Sequence, residues 1–174
     1  MLLFVQPTQL SLHKRKAAMA GSTPRFICDS MLGRLAKSLR MLGFDTQYAH
    51  CLTSLQLLQL SVEQQRILLT RRSACMKSTS TGSCIYIRSN DPDEQLRQVI
   101  AACGIVKTLI KPFTICLRCN APLTGLSKEA AAGRVPDYVL TTVEHFAACN
   151  SCGRVYWKGT HYANMADAIL KIKV

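Results

Sequence analysis

Two Cys-x-x-Cys hooks, Cys116-Leu-Arg-Cys119 and Cys149-Asn-Ser-Cys152, constrain this chain more than any other feature. Each hook turns tightly enough for two thiolates to grip one ion, and the pair fills a tetrahedral four-sulfur shell. The 29 residues between the hooks leave room for a small independent module. Gly153 follows the second hook, where the backbone is expected at φ > 0, a region glycine enters at little cost. A disulfide pair or a redox motif is the rival use of such cysteines. A redox Cys-x-x-Cys is normally single and follows a strand in a βαβ unit, so the doubled hook points to structural zinc. Four protein ligands leave no open position for water, which makes the ion a staple.

The other five cysteines, Cys28, Cys51, Cys75, Cys84 and Cys103, are scattered and odd in number. They read as reduced thiols of an intracellular protein, in the cytoplasm or an organellar matrix. No apolar run approaches the roughly 20 residues that span a bilayer, so no membrane partner is expected. The net charge is +12. Residues 1–24 carry +3, residues 25–112 carry +6 and residues 113–174 carry +3, the last falling to +1 once a zinc tetrathiolate forms. The excess lies on the middle segment and favours polyanions, with nucleic acid as the leading candidate.

Three regions follow from the pattern. Residues 1–24, with Lys14-Arg15-Lys16 and no acid before Asp29, form an extension: a targeting segment, an unstructured tail, or residues ahead of an alternative start at Met19. From Arg25 strands and helices alternate. Strands are expected at 25–28, 44–49, 66–70 and 84–88, and helices at 31–42, at 52–65 and from Asp91 onward. Leu32, Leu35, Ala36, Leu39 and Leu42 share one face of the first helix, with Gly43 placed to end it. Pro92 suits the first helical position and the acids around it suit the helix dipole. Alternation of this kind predicts an α/β fold, a parallel sheet with helices on both faces, over 25–112. A four-cysteine zinc ribbon follows over 113–174. Residues 71–83 read as a polar loop.

The string Arg25-Phe-Ile-Cys-Asp-Ser-Met-Leu-Gly-Arg-Leu-Ala-Lys-Ser-Leu-Arg-Met-Leu-Gly-Phe-Asp45 resembles the opening of the mut-seven C-terminal RNase family. The resemblance continues through Arg66-Ile-Leu-Leu-Thr-Arg71, Asp93-Glu-Gln-Leu96, Cys116-Leu-Arg-Cys-Asn-Ala-Pro-Leu123 and Val135-Pro136. It ends with Cys149-Asn-Ser-Cys-Gly-Arg-Val-Tyr-Trp-Lys-Gly-Thr-His161. It implies a PIN-like nuclease domain fused to a zinc ribbon, RNA as substrate, and magnesium or manganese as catalytic cofactor.

Two-metal phosphodiester hydrolysis needs several carboxylates at one place, which in an open parallel sheet is the carboxyl edge of the strands. Asp29 ends the first strand there and is the first candidate ligand, although it can also cap the following helix. Asp91 and Asp93 follow the fourth strand and are the next candidates, with capping again the rival role. Asp45 and Glu63 are poorly placed. The chain departs from the family at two points. Arg72 stands where the family has an aspartate, and His50-Cys-Leu-Thr-Ser54 lacks the acids usual after the second strand. A guanidinium cannot ligate a hard cation, so cleavage is expected to be weak or absent.

Candidate RNA contacts are Arg34, Lys37 and Arg40, read as a basic stripe, with Arg71, Arg72 and Lys77 beside the loop. The stripe can equally be a solvated face. Trp157 and His161, with Tyr156, can stack on unpaired bases, while Trp157 can instead close the ribbon's core. Three functions compete: a metal-dependent ribonuclease, an RNA-binding protein with depleted acids, and a ribbon that docks another protein.

Overall fold

Phe26, Ile27 and Cys28 are all fully buried, as a strand must be when helices cover both faces of its sheet. In the computed structural model, which describes residues 23–73 and 83–159, these residues form β1 (Phe26–Cys28), an inner strand of a parallel sheet. The helix α1 (Gly33–Met41) leads to β2 (Thr46–Tyr48), and α2 (Ser54–Glu63) to β3 (Ile67–Thr70). Next come β4 (Cys84–Tyr86) and α3 (Pro92–Cys103). The strand order is β2-β1-β3-β4 and every pairing is parallel. The expected alternation is present, with each element shorter than the sequence pattern suggested. Residues 1–22, Cys75, Lys77 and His161 lie outside the described residues.

The pleat divides the core. Phe26, Cys28 and Leu69 face α1 and α3, where they meet Leu35, Leu39, Val99 and Ile100. Ile27 and Leu68 face the opposite way and pack with Leu57 of α2. Helix ends follow local chemistry. Thr53 and Gln56 form a reciprocal capping box on α2. Asp91 caps α3 by accepting from the Asp93 and Glu94 N–H groups at 3.0 and 2.9 Å. Gly43 has φ +89°, and a Cβ there would lie 2.1 Å from the Lys111 carbonyl oxygen, so only glycine lets the two backbones approach. The neighbouring Lys111 N–H donates to the Leu42 carbonyl at 2.9 Å, tying the chain's continuation to the end of α1.

A second, antiparallel sheet contains β5 (Leu123–Leu126), β6 (Phe146–Cys149) and β7 (Val155–Trp157), in that order. Two short helices, α4 (Lys128–Ala131) and α5 (Asp137–Thr142), connect β5 to β6. Ala131, Val135, Val139 and Phe146 make its small core. The chain is thus an α/β structure with a four-stranded parallel sheet and a small antiparallel sheet that carries the four hook cysteines. Among the described residues, no helix is long and apolar enough to cross a membrane.

Candidate functional site

The two hooks fold as copies of one turn. In the first, Asn120 N–H donates to the Cys116 carbonyl at 3.0 Å and Cys116 N–H to Ala121 at 2.8 Å. In the second, Gly153 N–H donates to Cys149 at 2.8 Å and Cys149 N–H to Arg154 at 3.0 Å. The residue after each hook has positive φ, +62° at Asn120 and +71° at Gly153. The second value is the one expected of that glycine.

The four Sγ atoms lie within 4.8 Å of one another, and those of Cys116 and Cys152 are 3.8 Å apart. A Zn–S bond of about 2.3 Å gives a tetrahedral edge of about 3.8 Å, so the donor set fits zinc in kind and spacing. The thiol electrostatics agree. Burial pushes Cys116 up, but hydrogen bonds from Tyr156 and from the Cys119 and Arg118 backbone outweigh it and hold the thiol at about 6. Cys119 is pushed up to about 12, chiefly by its hydrogen bond with Cys152. Four thiolates so close together need a cation. The Tyr156 hydroxyl, 3.1 Å from Cys116 Sγ, supplies a donor to that sulfur.

The first hook is also bolted to the parallel sheet. Arg40 donates to Thr46 O at 2.8 Å, Leu117 O at 2.9 Å and Arg118 O at 3.0 Å. Asn120 accepts from Thr46 N–H at 2.8 Å through its side-chain oxygen, and its amide nitrogen donates to Asp45. Asp45 in turn receives Arg66 in a two-pronged bond at 2.8 and 2.9 Å, with Arg25 at 3.2 Å. Burial raises the Asp45 pKa, but the Arg66 and Asn120 bonds outweigh that and set it below its ordinary value. Asp45 therefore serves the amino edge of the sheet, away from the carboxyl edge where metal ligands were sought.

This geometry corrects the basic stripe. Arg34 and Lys37 are exposed, but Arg40 is only 8 % exposed and its guanidinium is committed to three carbonyls. It joins two parts of the fold and is not available as a phosphate contact. Trp157 is half-buried and packs against the core of the antiparallel sheet, which favours its packing role over base stacking. A Cβ on Gly159 would approach Trp157 Nε1 to 3.1 Å, so the chain folds closely over the indole. Cys84 departs from the expected set of reduced thiols. It is disulfide-bonded.

At the carboxyl edge, the strand order reverses between β1 and β3, and Asp29 sits at that switch point. Asp29 is 0 % exposed. One oxygen accepts from Met31 N–H at 2.9 Å; the other accepts from the Thr70 hydroxyl and from Arg71 N–H at 3.2 Å. Arg72 Nε lies 3.9 Å from the same carboxylate. Arg72 also donates from Nη1 to Leu52 O at 2.8 Å, and its own N–H meets Thr70 Oγ1 at 3.0 Å. Arg71 reaches Asn90. Asp91 is engaged as the α3 cap, and Asp93 is exposed in the first turn of that helix. Among the described residues, the four cysteines are the one cluster with the composition and spacing of a metal site.

The ordered blocks from Arg25 onward and the paired hooks are matched by the Mut7-C RNAse domain, over residues 24–169. The chain belongs to the Mut7-C RNAse domain family. No curated protein and no solved structure matches it. The catalytic magnesium or manganese implied by the resemblance does not fit the residues present. The buried Asp29 carboxylate is filled by three hydrogen bonds, and a cation rather than an acid stands beside it.

One contributor to the junction beside the hooks, Asn120, is not singled out by the sequence pattern. In the sequence Asn120 appears only within the string that contains the first hook, and its bonds to Thr46 and Asp45 depend on a segment 74 and 75 residues away. The signal available is its residue type and place, an asparagine directly after Cys119 where Gly153 stands after Cys152.

Proposed function

We propose that this Mut7-C member binds single-stranded RNA through the carboxyl edge of its parallel sheet and that its metal-dependent cleavage is weak or absent. Residues 25–112 are the RNA-binding unit, and residues 113–174 are a module folded around one zinc held by Cys116, Cys119, Cys149 and Cys152. The observation that carries this reading is the pairing of buried Asp29 with Arg72 at the switch point. Hard cations need several oxygens converging on one point, and among the described residues no three acids converge at this edge; phosphates need cationic donors, which it has in Arg71 and Arg72. Exposed Arg34 and Lys37 on α1 extend the same positive surface.

Each phosphate contact releases counterions, so affinity falls as salt rises. The test is retention of a labelled single-stranded RNA by the full chain across a salt titration. The wild type should bind with a steep slope, and Arg34→Glu with Lys37→Glu should weaken binding for every sequence tried. Failure of the wild type to retain RNA at low salt would leave the protein-docking reading of the ribbon in its place.

A further inference from the structure

The carboxyl edge holds a second kind of chemistry beside its arginines. Tyr48 ends β2, is half-buried, and donates its hydroxyl to the Ser30 carbonyl at 2.8 Å. Its ring crosses the β1–α1 turn so closely that a Cβ on Gly33 would lie 3.2 Å from the hydroxyl oxygen. The exposed His50 meets Tyr48 edge-on, with ring centroids 4.2 Å apart and planes at 78°. An edge-to-face contact fixes the imidazole plane against a ring that is itself tethered.

The same turn links this aromatic pair to Arg72. Tyr48 is tied to Ser30, the neighbour of Asp29, and Arg72 pairs with Asp29 while donating to Leu52, two residues beyond His50. One aromatic pair and one guanidinium thus flank the switch point. Among the described residues, the Nη2 of Arg72 has no partner, so the guanidinium is oriented by its other nitrogens and retains donors to give. An oriented guanidinium is a good phosphate ligand, and an exposed ring nearby is a stacking surface for any base.

We propose that the switch point is a metal-independent site for one nucleotide unit, with its phosphate on Arg72 and its base stacked on His50. Arg72 contacts the phosphate directly, with no cation between them. The ligand is a nucleoside monophosphate unit, presented within an RNA strand or as a free mononucleotide. The inference rests on the RNA-binding reading above and adds where and how one nucleotide is held.

The test uses the zinc-loaded full chain, a fluorescent short oligoadenylate, and anisotropy measured across a salt titration with no added divalent metal. His50→Ala should weaken binding about tenfold with an unchanged salt slope, because stacking releases no counterion. Arg72→Gln should weaken binding and reduce the slope by about 0.7, the value of one phosphate contact on a single strand, whereas Arg72→Lys should keep the slope. Adding magnesium should not strengthen wild-type binding. Competition by adenosine monophosphate assigns the site to free nucleotides as well; its absence assigns the site to the strand. Wild-type affinity in both His50→Ala and Arg72→Gln would overturn the site while leaving the RNA-binding reading intact. A lower affinity in Arg72→Gln with no change in slope would also overturn it, by reducing Arg72 to a structural partner of Asp29. Absence of any wild-type binding would remove both readings.

Discussion

Arg40 shows how one side chain can decide between surface chemistry and architecture. At about 100° per residue, Arg34 and Lys37 fall opposite the buried face of α1, while Arg40 lies only about 40° from Ala36. That flank is where the first hook docks, and the planar fork of arginine satisfies three carbonyls from two segments. Arg40→Ala should lower stability by about 3 kcal/mol in denaturant unfolding, since hydrogen bonds to a charged donor are lost and carbonyls are left buried. Arg40→Lys should recover little of it, because an ammonium cannot span the same fork; full recovery would show that charge alone matters there. Asp45 makes a pH-dependent contribution at the same junction. Its folded pKa is depressed below the ordinary value of 3.8, so its stabilisation is present above that value and is lost as pH falls through the folded pKa. Unfolding midpoints measured downward from pH 5 should show that loss, and Asp45→Asn should flatten it. An equally steep acid dependence in Asp45→Asn would assign the effect to other carboxylates.

Among the elements, the hooks bear most directly on stability. The first lies between Ile115 and Pro122, which form an isolated antiparallel bridge, and the second joins β6 to β7, so an ion held by the hooks would close the small sheet at one end. Among the described residues, the core cluster behind it rests on four buried apolar side chains, a small core that a bound ion would reinforce. Zinc binding at the four cysteines would therefore be coupled to folding. Elemental analysis should find one zinc per chain, and Cys149→Ala should lose it together with the β-sheet signal of residues 123–157. Retention of zinc by that variant would break the four-ligand assignment. The hooks were legible in the sequence because ligand spacing is a local property. The parallel sheet was legible because apolar runs alternated with capped helices. The Arg40–Asn120–Asp45 junction was not, since it joins residues up to 78 positions apart whose types are ordinary at each place. The role of Asp29 was half legible: its position at a strand end could be read, but its burial and its bonds to Thr70 and Arg71 depend on β3 lying next to β1.

At the scale of the whole molecule, the two edges of the parallel sheet have separate tasks. The amino edge, through Asp45, Arg66 and Asn120, anchors the zinc-bearing sheet. The carboxyl edge, through Arg71, Arg72 and His50, faces outward with positive charge and an aromatic surface. A metal-dependent nuclease needs the reverse of that charge, because a guanidinium beside the site raises the electrostatic cost of bringing in a divalent cation. Restoring one carboxylate does not solve this. Arg72→Asp would remove the positive neighbour but leave Asp29 buried under three donors and Asp91 tied to the start of α3. The wild type should therefore show weak or no cleavage of a labelled RNA across magnesium and manganese titrations, and Arg72→Asp should not raise it more than about tenfold. Because Asp29→Asn disturbs a buried network, the informative companion is Asp91→Asn, whose carboxylate lies at the surface. Robust wild-type cleavage that falls in Asp91→Asn at unchanged thermal stability would establish a working acid at this edge and overturn the reading of a site turned from catalysis to binding.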